Sequence, residues 1–178
     1  MREIISTIEG EFRRYKKLGD EAIRQVRDEE LAQEGPGGGN SIAVLVWHLS
    51  GNLKSRFTDF LTSDGEKPWR KRDEEFIFRS VTREELIAKW EEGWAVMFNE
   101  IRLLTDADLN RSVIIRSESF SVVETLHRLM AHAAYHAGQI VYLAKAFRAG
   151  NWECLSIPLG MSEEFGRNPK GRQKAPGS

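Results

Sequence analysis

Four stretches of the chain repeat their apolar residues every three or four positions, a spacing that commits most of the sequence to amphipathic helices. The first runs from about Glu3 into the low thirties, with Ile4, Ile5, Ile8, Phe12, Tyr15 and Leu18 as its stripe and Ala22, Ile23 and Val26 continuing it. Gly35-Pro36-Gly37-Gly38-Gly39 closes it, because proline cannot continue a helix and a glycine run has no fixed backbone preference. Asn40 or Ser41 caps a second helix over about Ile42 to Leu61, striped by Ile42, Leu45, Leu49, Leu53, Phe57 and Phe60. Thr82-Arg83-Glu84-Glu85 is a capping box opening a third, whose buried face is Leu86, Ile87, Trp90, Trp94, Met97, Phe98, Ile101 and Leu104. Ser121-Val122-Val123-Glu124 opens a fourth in the same way, which continues to about Arg148 and stops at Gly150.

The connections read differently. Thr62-Ser63-Asp64-Gly65 is a turn, and Glu66 to Ser80 is an ordered loop across the bundle, with Trp69, Phe76 and Phe78 expected to anchor it. Val113-Ile114-Ile115 is short and β-branched, so a strand-like connection is expected there. Asn151 to Gly160, with Trp152, Leu155, Ile157 and Pro158, should pack on the bundle as a short extended piece. Residues 166–178 are polar and read as a disordered tail, leaving 1–165 as a single helical-bundle domain. The fold class is therefore all-α, a four-helix bundle.

Composition narrows the function. The chain is 40% hydrophobic, enough to bury a core without disulfides or a structural metal. Lys+Arg of 26 against Asp+Glu of 27 gives no reason to expect nucleic acid or an anionic membrane as partner. The single cysteine, Cys154, forbids an internal disulfide and suits a reducing cytoplasm. The N-terminal MREIISTIEGEFRRYKK is charged throughout and has no signal-peptide h-region, and no uncharged apolar run is long enough to span a bilayer.

The histidines are the anomaly. His132 and His136 are four apart, about 40° around a helix, so both imidazoles leave one side of the fourth helix. Leu129, Ile140 and Leu143 share that side, which makes it the inward one, and Ala133, Ala134, Ala137 and Gly138 leave room for a neighbouring helix. His48 follows Val44 and Leu45 by four and three, so it too faces inward, with Asn52 one turn on. Any one of them alone reads as a hydrogen-bonded core residue; three on the inward stripes of two helices read as ligands of a divalent metal. His127 lies off that face, at the surface or rim, and Glu124 or Gln139 is placed to accept the second N–H of a bound imidazole. Cys154 reads as a packing residue rather than a fourth ligand, so the site is open to water or substrate. Zinc, nickel and ferrous iron all accept imidazole. Asn52 and Gln139 are the candidate catalytic helpers, and Tyr135, about 100° off the ligand face, reads as packing or a dimer contact.

The segment Asn40-Ser41-Ile42-Ala43 through Val46-Trp47-His48-Leu49-Ser50-Gly51-Asn52-Leu53, and His132-Ala133-Ala134-Tyr135-His136-Ala137-Gly138-Gln139-Ile140, resemble the second and fourth helices of the DinB superfamily. That superfamily includes the YfiT-like metal-dependent hydrolases and the bacillithiol and mycothiol S-transferases. Asp64-Gly65-Glu66-Lys67-Pro68-Trp69-Arg70 and Leu155-Ser156-Ile157-Pro158 look like features of one bacterial subfamily of unassigned function. The resemblance implies an up-down-down-up bundle with a long crossover connection, often a homodimer. It implies His48, His132 and His136 as metal ligands and a low-molecular-weight thiol as the metal's partner. No residue of this chain matches a thiol-cofactor recognition element.

Two functional expectations follow. One is a metal-dependent enzyme, an S-transferase or hydrolase acting on a small-molecule substrate or thiol. The other is a non-catalytic metal-binding or stress-response protein, which would lack a substrate-sized cavity beside its metal.

Overall fold

A computed structural model describes residues 1–168. It is an all-α bundle of α1 (Glu3–Gln25), α2 (Ile42–Phe57), α3 (Arg83–Leu103) and α4 (Val122–Arg148), followed by a short α5 (Ser162–Arg167). Helix α1 packs mainly on α4 and α2 on α3, with α2 also meeting α4. Phe12, Leu45, Leu49, Leu53, Phe57, Trp94, Met97 and Ile101 fill the centre at 0–1% exposure. Phe12 meets Phe57 and Trp94 edge-on, with ring centroids 6.3 and 6.4 Å away. No helix among the described residues is long and apolar enough to cross a membrane.

Helix starts follow the sequence signals. Ser41, Thr82 and Ser121 each accept a hydrogen bond from the backbone N–H three residues on, and Glu85 and Glu124 return the bond at the latter two. Glu124 is therefore a helix cap and, of the two candidate imidazole acceptors, is not the one used.

Helix ends depart from expectation. Helix α1 stops at Gln25 rather than in the low thirties, and Val26 turns extended. Arg83 explains the stop: its guanidinium donates to the carbonyls of Ile23 (3.0 Å) and Val26 (2.6 Å), satisfying the helix end. A separate 3-10 turn follows at Asp28–Glu30. Helix α2 ends at Phe57, short of Leu61, where Asp59 takes a φ of 51°. That turn stacks Phe60 on Phe57 at 5.1 Å. Two residues read as buried are exposed: Ile4 at the start of α1 and Ile87 on α3.

The strand-like connection is a hairpin, β1 (Ser112–Ile115) and β2 (Glu118–Ser121), paired antiparallel. Its two turn residues, Arg116 and Ser117, hold φ of 54° and 62°, a left-handed conformation that costs a non-glycine residue energy. Asp64 compensates by accepting from the backbone N–H of both, at 2.9 and 2.8 Å. The turn signal at Asp64 thus serves a second turn far along the chain.

Trp152 and Leu155 of the last segment pack on the core as expected, whereas Ile157 is 39% exposed. Helix α5 includes Gly166 and Arg167, so the expected tail begins inside a helix; 169–178 lies outside the described residues.

Candidate metal centre

His48 leaves the inward side of α2 and His132 and His136 leave one side of α4, and the three ligand atoms lie within 4.8 Å of one another. His132 Nε2 is 3.2 Å from His48 Nε2 and 3.1 Å from His136 Nε2. Two nitrogens bound to one metal at about 2.1 Å sit roughly 3.0 to 3.4 Å apart for angles between square and tetrahedral. The His48–His132 and His132–His136 pairs fit a shared metal on that measure.

The far side of each ring decides its tautomer. His48 Nδ1–H donates to Glu75 Oε2 at 2.9 Å, and His136 Nδ1–H donates to Gln139 Oε1 at 2.8 Å. Both Nε2 atoms therefore present lone pairs to the centre, the arrangement that acceptors behind metal-bound imidazoles produce. His132 Nδ1 is buried with no hydrogen-bond partner among the described residues. Burial, aided by repulsion from His136 and His48, pushes His132 down to about 3. Burial likewise takes His136 down to about 4. Both stay neutral at physiological pH, as ligands must.

Glu75 comes from the loop between α2 and α3, where no periodicity in the sequence marks it. Arg70 grips its carboxylate with two bonds, Nε to Oε1 at 2.8 Å and Nη2 to Oε2 at 2.9 Å, and Arg70 Nη1 donates to Ser55 Oγ at 3.1 Å. Burial alone would raise the Glu75 pKa, but the bonds from Arg70 and His48 outweigh it and hold it below the usual value. Loop anchoring is thus largely polar. Trp69 and Phe78, expected as anchors, are 51% and 65% exposed. Phe76 does pack inward, tilted over the His48 ring at 4.6 Å. The spacing of Arg70 and Glu75 within the Glu66 to Ser80 loop was the available signal, but nothing in it says which helix they face.

The other candidates separate cleanly. Gln139 stands behind His136, and its Nε2 donates to Tyr135 Oη at 3.2 Å. Tyr135 itself is 63% exposed. Asn52 is buried, with Oδ1 unpartnered among the described residues. His127 is exposed and outside the cluster. Cys154 is neither ligand nor packing residue: it is exposed, beside Ser156. The packing expectation fails because the segment after α4 turns Trp152 and Leu155, rather than Cys154, toward the core.

Beside His132 opens a cleft of about 420 Å³, lined also by Asn52, Arg56, Arg116, Thr125 and Arg128.

A helical bundle with inward histidines on α2 and α4 defines a class of four-helix proteins able to ligate a metal between two helices. The chain belongs to the family described as protein of unknown function (DUF1572), whose family model matches residues 1–161 and which is DinB/YfiT-like. No curated protein matches the chain.

Proposed function

We propose that the protein is a metal-dependent enzyme. In this reading His48, His132 and His136 hold a divalent cation through Nε2, and the positions left open accept a small-molecule thiol or water. The observation that carries it is the fixed orientation of two rings by Glu75 and Gln139, which leaves the Nε2 of each beside His132 Nε2. The cation supplies Lewis acidity, lowering the pKa of a thiol or water that reaches it.

The chain's own residues do the rest. Glu75 and Gln139 keep the ligand rings in register, and Arg70 keeps Glu75 in place. Phe76 covers the His48 ring and limits water there. Asn52 lines the cleft, and its Oδ1 is buried there without a partner among the described residues. The cleft is of the size small ligands use, which favours an enzyme over a protein that only stores metal. Zinc, nickel and ferrous iron suit the donor set, and S-transfer and hydrolysis are the two reactions it serves.

Cobalt-substituted protein tests the reading. Titration with 2-mercaptoethanol should produce a thiolate-to-cobalt absorption band near neutral pH. A cobalt-loaded protein whose spectrum ignores thiols would remove S-transfer and leave hydrolysis by bound water.

A further inference from the structure

Arginine is abundant in the cleft beside His132. Arg56, Arg116 and Arg128 all line it, against one lining acid, Glu118. Glu66 lies behind them and is shared, accepting from Arg56 at 3.1 Å and from Arg116 at 2.8 Å. Of the charged residues that line the cleft itself, three are cations and one is an acid, with Glu66, Asp64 and Glu124 acting on the same guanidiniums from behind. Arg56 is buried, its side chain 8% exposed, so its charge is felt through little solvent.

Arg128 is the uncommitted member. Its guanidinium lies over the Phe120 ring at 4.5 Å, and no carboxylate comes within ion-pair distance of it among the described residues. Glu124, one turn earlier on α4, feels the Arg128 charge, but its hydrogen bonds go to the Ser121 cap rather than to the guanidinium. Deeper in the cleft, the hydroxyl of Thr125 is wholly buried without a partner among the described residues, as is Asn52 Oδ1. Buried polar atoms left unpaired are costly, so two of them in residues lining a cleft, beside a guanidinium that no carboxylate pairs directly, point to a ligand that satisfies them.

We infer that this cleft binds the anionic end, a carboxylate or phosphate, of the small molecule whose other end reaches the three-histidine centre, and that Arg128 selects it. A guanidinium fork matches either oxyanion in two parallel bonds. Thr125 adds a hydroxyl donor, and Asn52 accepts from a hydroxyl or amine on the same ligand. The destination of the other end rests on the metal reading above; the anion site itself rests on residues outside the ligand set.

The test compares 3-mercaptopropionate with 2-mercaptoethanol on cobalt-substituted protein at fixed ionic strength. Wild type should bind the carboxylate-bearing thiol at least tenfold more tightly. Arg128→Gln should abolish that preference while keeping cobalt content and affinity for the neutral thiol; Arg128 is exposed on α4, so the fold should survive. Equal affinities in wild type, or a preference retained in Arg128→Gln, would overturn the inference. If cobalt does not bind, the metal reading fails and the anion site is judged alone. Succinate or inorganic phosphate should then raise the melting temperature of wild type but not of Arg128→Gln, the stronger of the two naming the oxyanion. No shift in wild type with either would overturn it.

Discussion

Gly51 and Glu75 share a space that no side chain at position 51 could occupy: a Cβ there would lie 2.1 Å from Glu75 Oε1. Residue 51 stands three positions after His48 on α2, on the same side of the helix. Its missing side chain is the opening through which the loop carboxylate reaches His48 Nδ1.

Gly51→Ala should therefore push the carboxylate off His48 and weaken metal binding by about 10- to 100-fold, the usual effect of losing a partner behind a ligand. Alanine favours a helix interior by up to ~1 kcal/mol over glycine, but moving Glu75 also strains its buried pair with Arg70, so some loss of stability should accompany the loss of metal affinity. Competition with a chromophoric chelator, run beside thermal melts, separates the two. Unchanged metal affinity would mean that Glu75 does not support the site.

Gly93 makes a harder contact. A Cβ there would meet the backbone Cα of Ser50 on α2 at 2.6 Å, and backbone cannot swing aside. Gly93→Ala should cost about 1–3 kcal/mol in chemical denaturation, as overpacking does. It should lower stability and metal affinity together, because it displaces the helix that carries His48. A stability equal to wild type would contradict the close α2–α3 approach.

Much of this was readable in the chain. Three capping sites, the four helices and the inward placement of His48, His132 and His136 follow from local periodicity, which a helix cannot violate without exposing its core. Gln139 behind His136 was readable for the same reason, since both sit on one helix. Glu75 behind His48 was not, because the two are 27 residues apart and meet only through tertiary packing. Where α1 ends was hidden similarly, being decided by Arg83 from another helix. The aromatic residues of the loop misled because aromatic bulk suggests burial, whereas the space beneath the loop is filled by the Arg70–Glu75 pair.

Acid should destabilise the protein in a window set partly by Asp108. Hydrogen bonding from Arg111, then from Thr105, lowers its pKa from 3.8 to about 2. A carboxylate depressed in the folded state contributes stability above its unfolded value, and that contribution disappears as pH falls through the folded one. The melting-temperature gap between wild type and Asp108→Asn should accordingly be full at pH 5 and close between about 3.8 and about 2. A gap constant across that window would contradict the assignment.

Removing metal should leave the fold standing. Its core is a continuous apolar cluster that includes Phe12, Trp94 and Met97 and needs no ion. A chelator should lower the melting temperature, by linkage of about 2.7 kcal/mol when free metal had been 100-fold above its dissociation constant. The far-ultraviolet circular dichroism at 25 °C should not change. Loss of helix on chelation would make the metal structural.

The most direct measurement is the metal content of purified protein after equilibration with zinc or nickel and removal of the excess. Wild type should retain about one divalent ion per chain, and a folded His132→Ala/His136→Ala variant essentially none. Equal, negligible metal in both would contradict a three-histidine metal centre and leave the cluster as buried imidazoles bonded to one another.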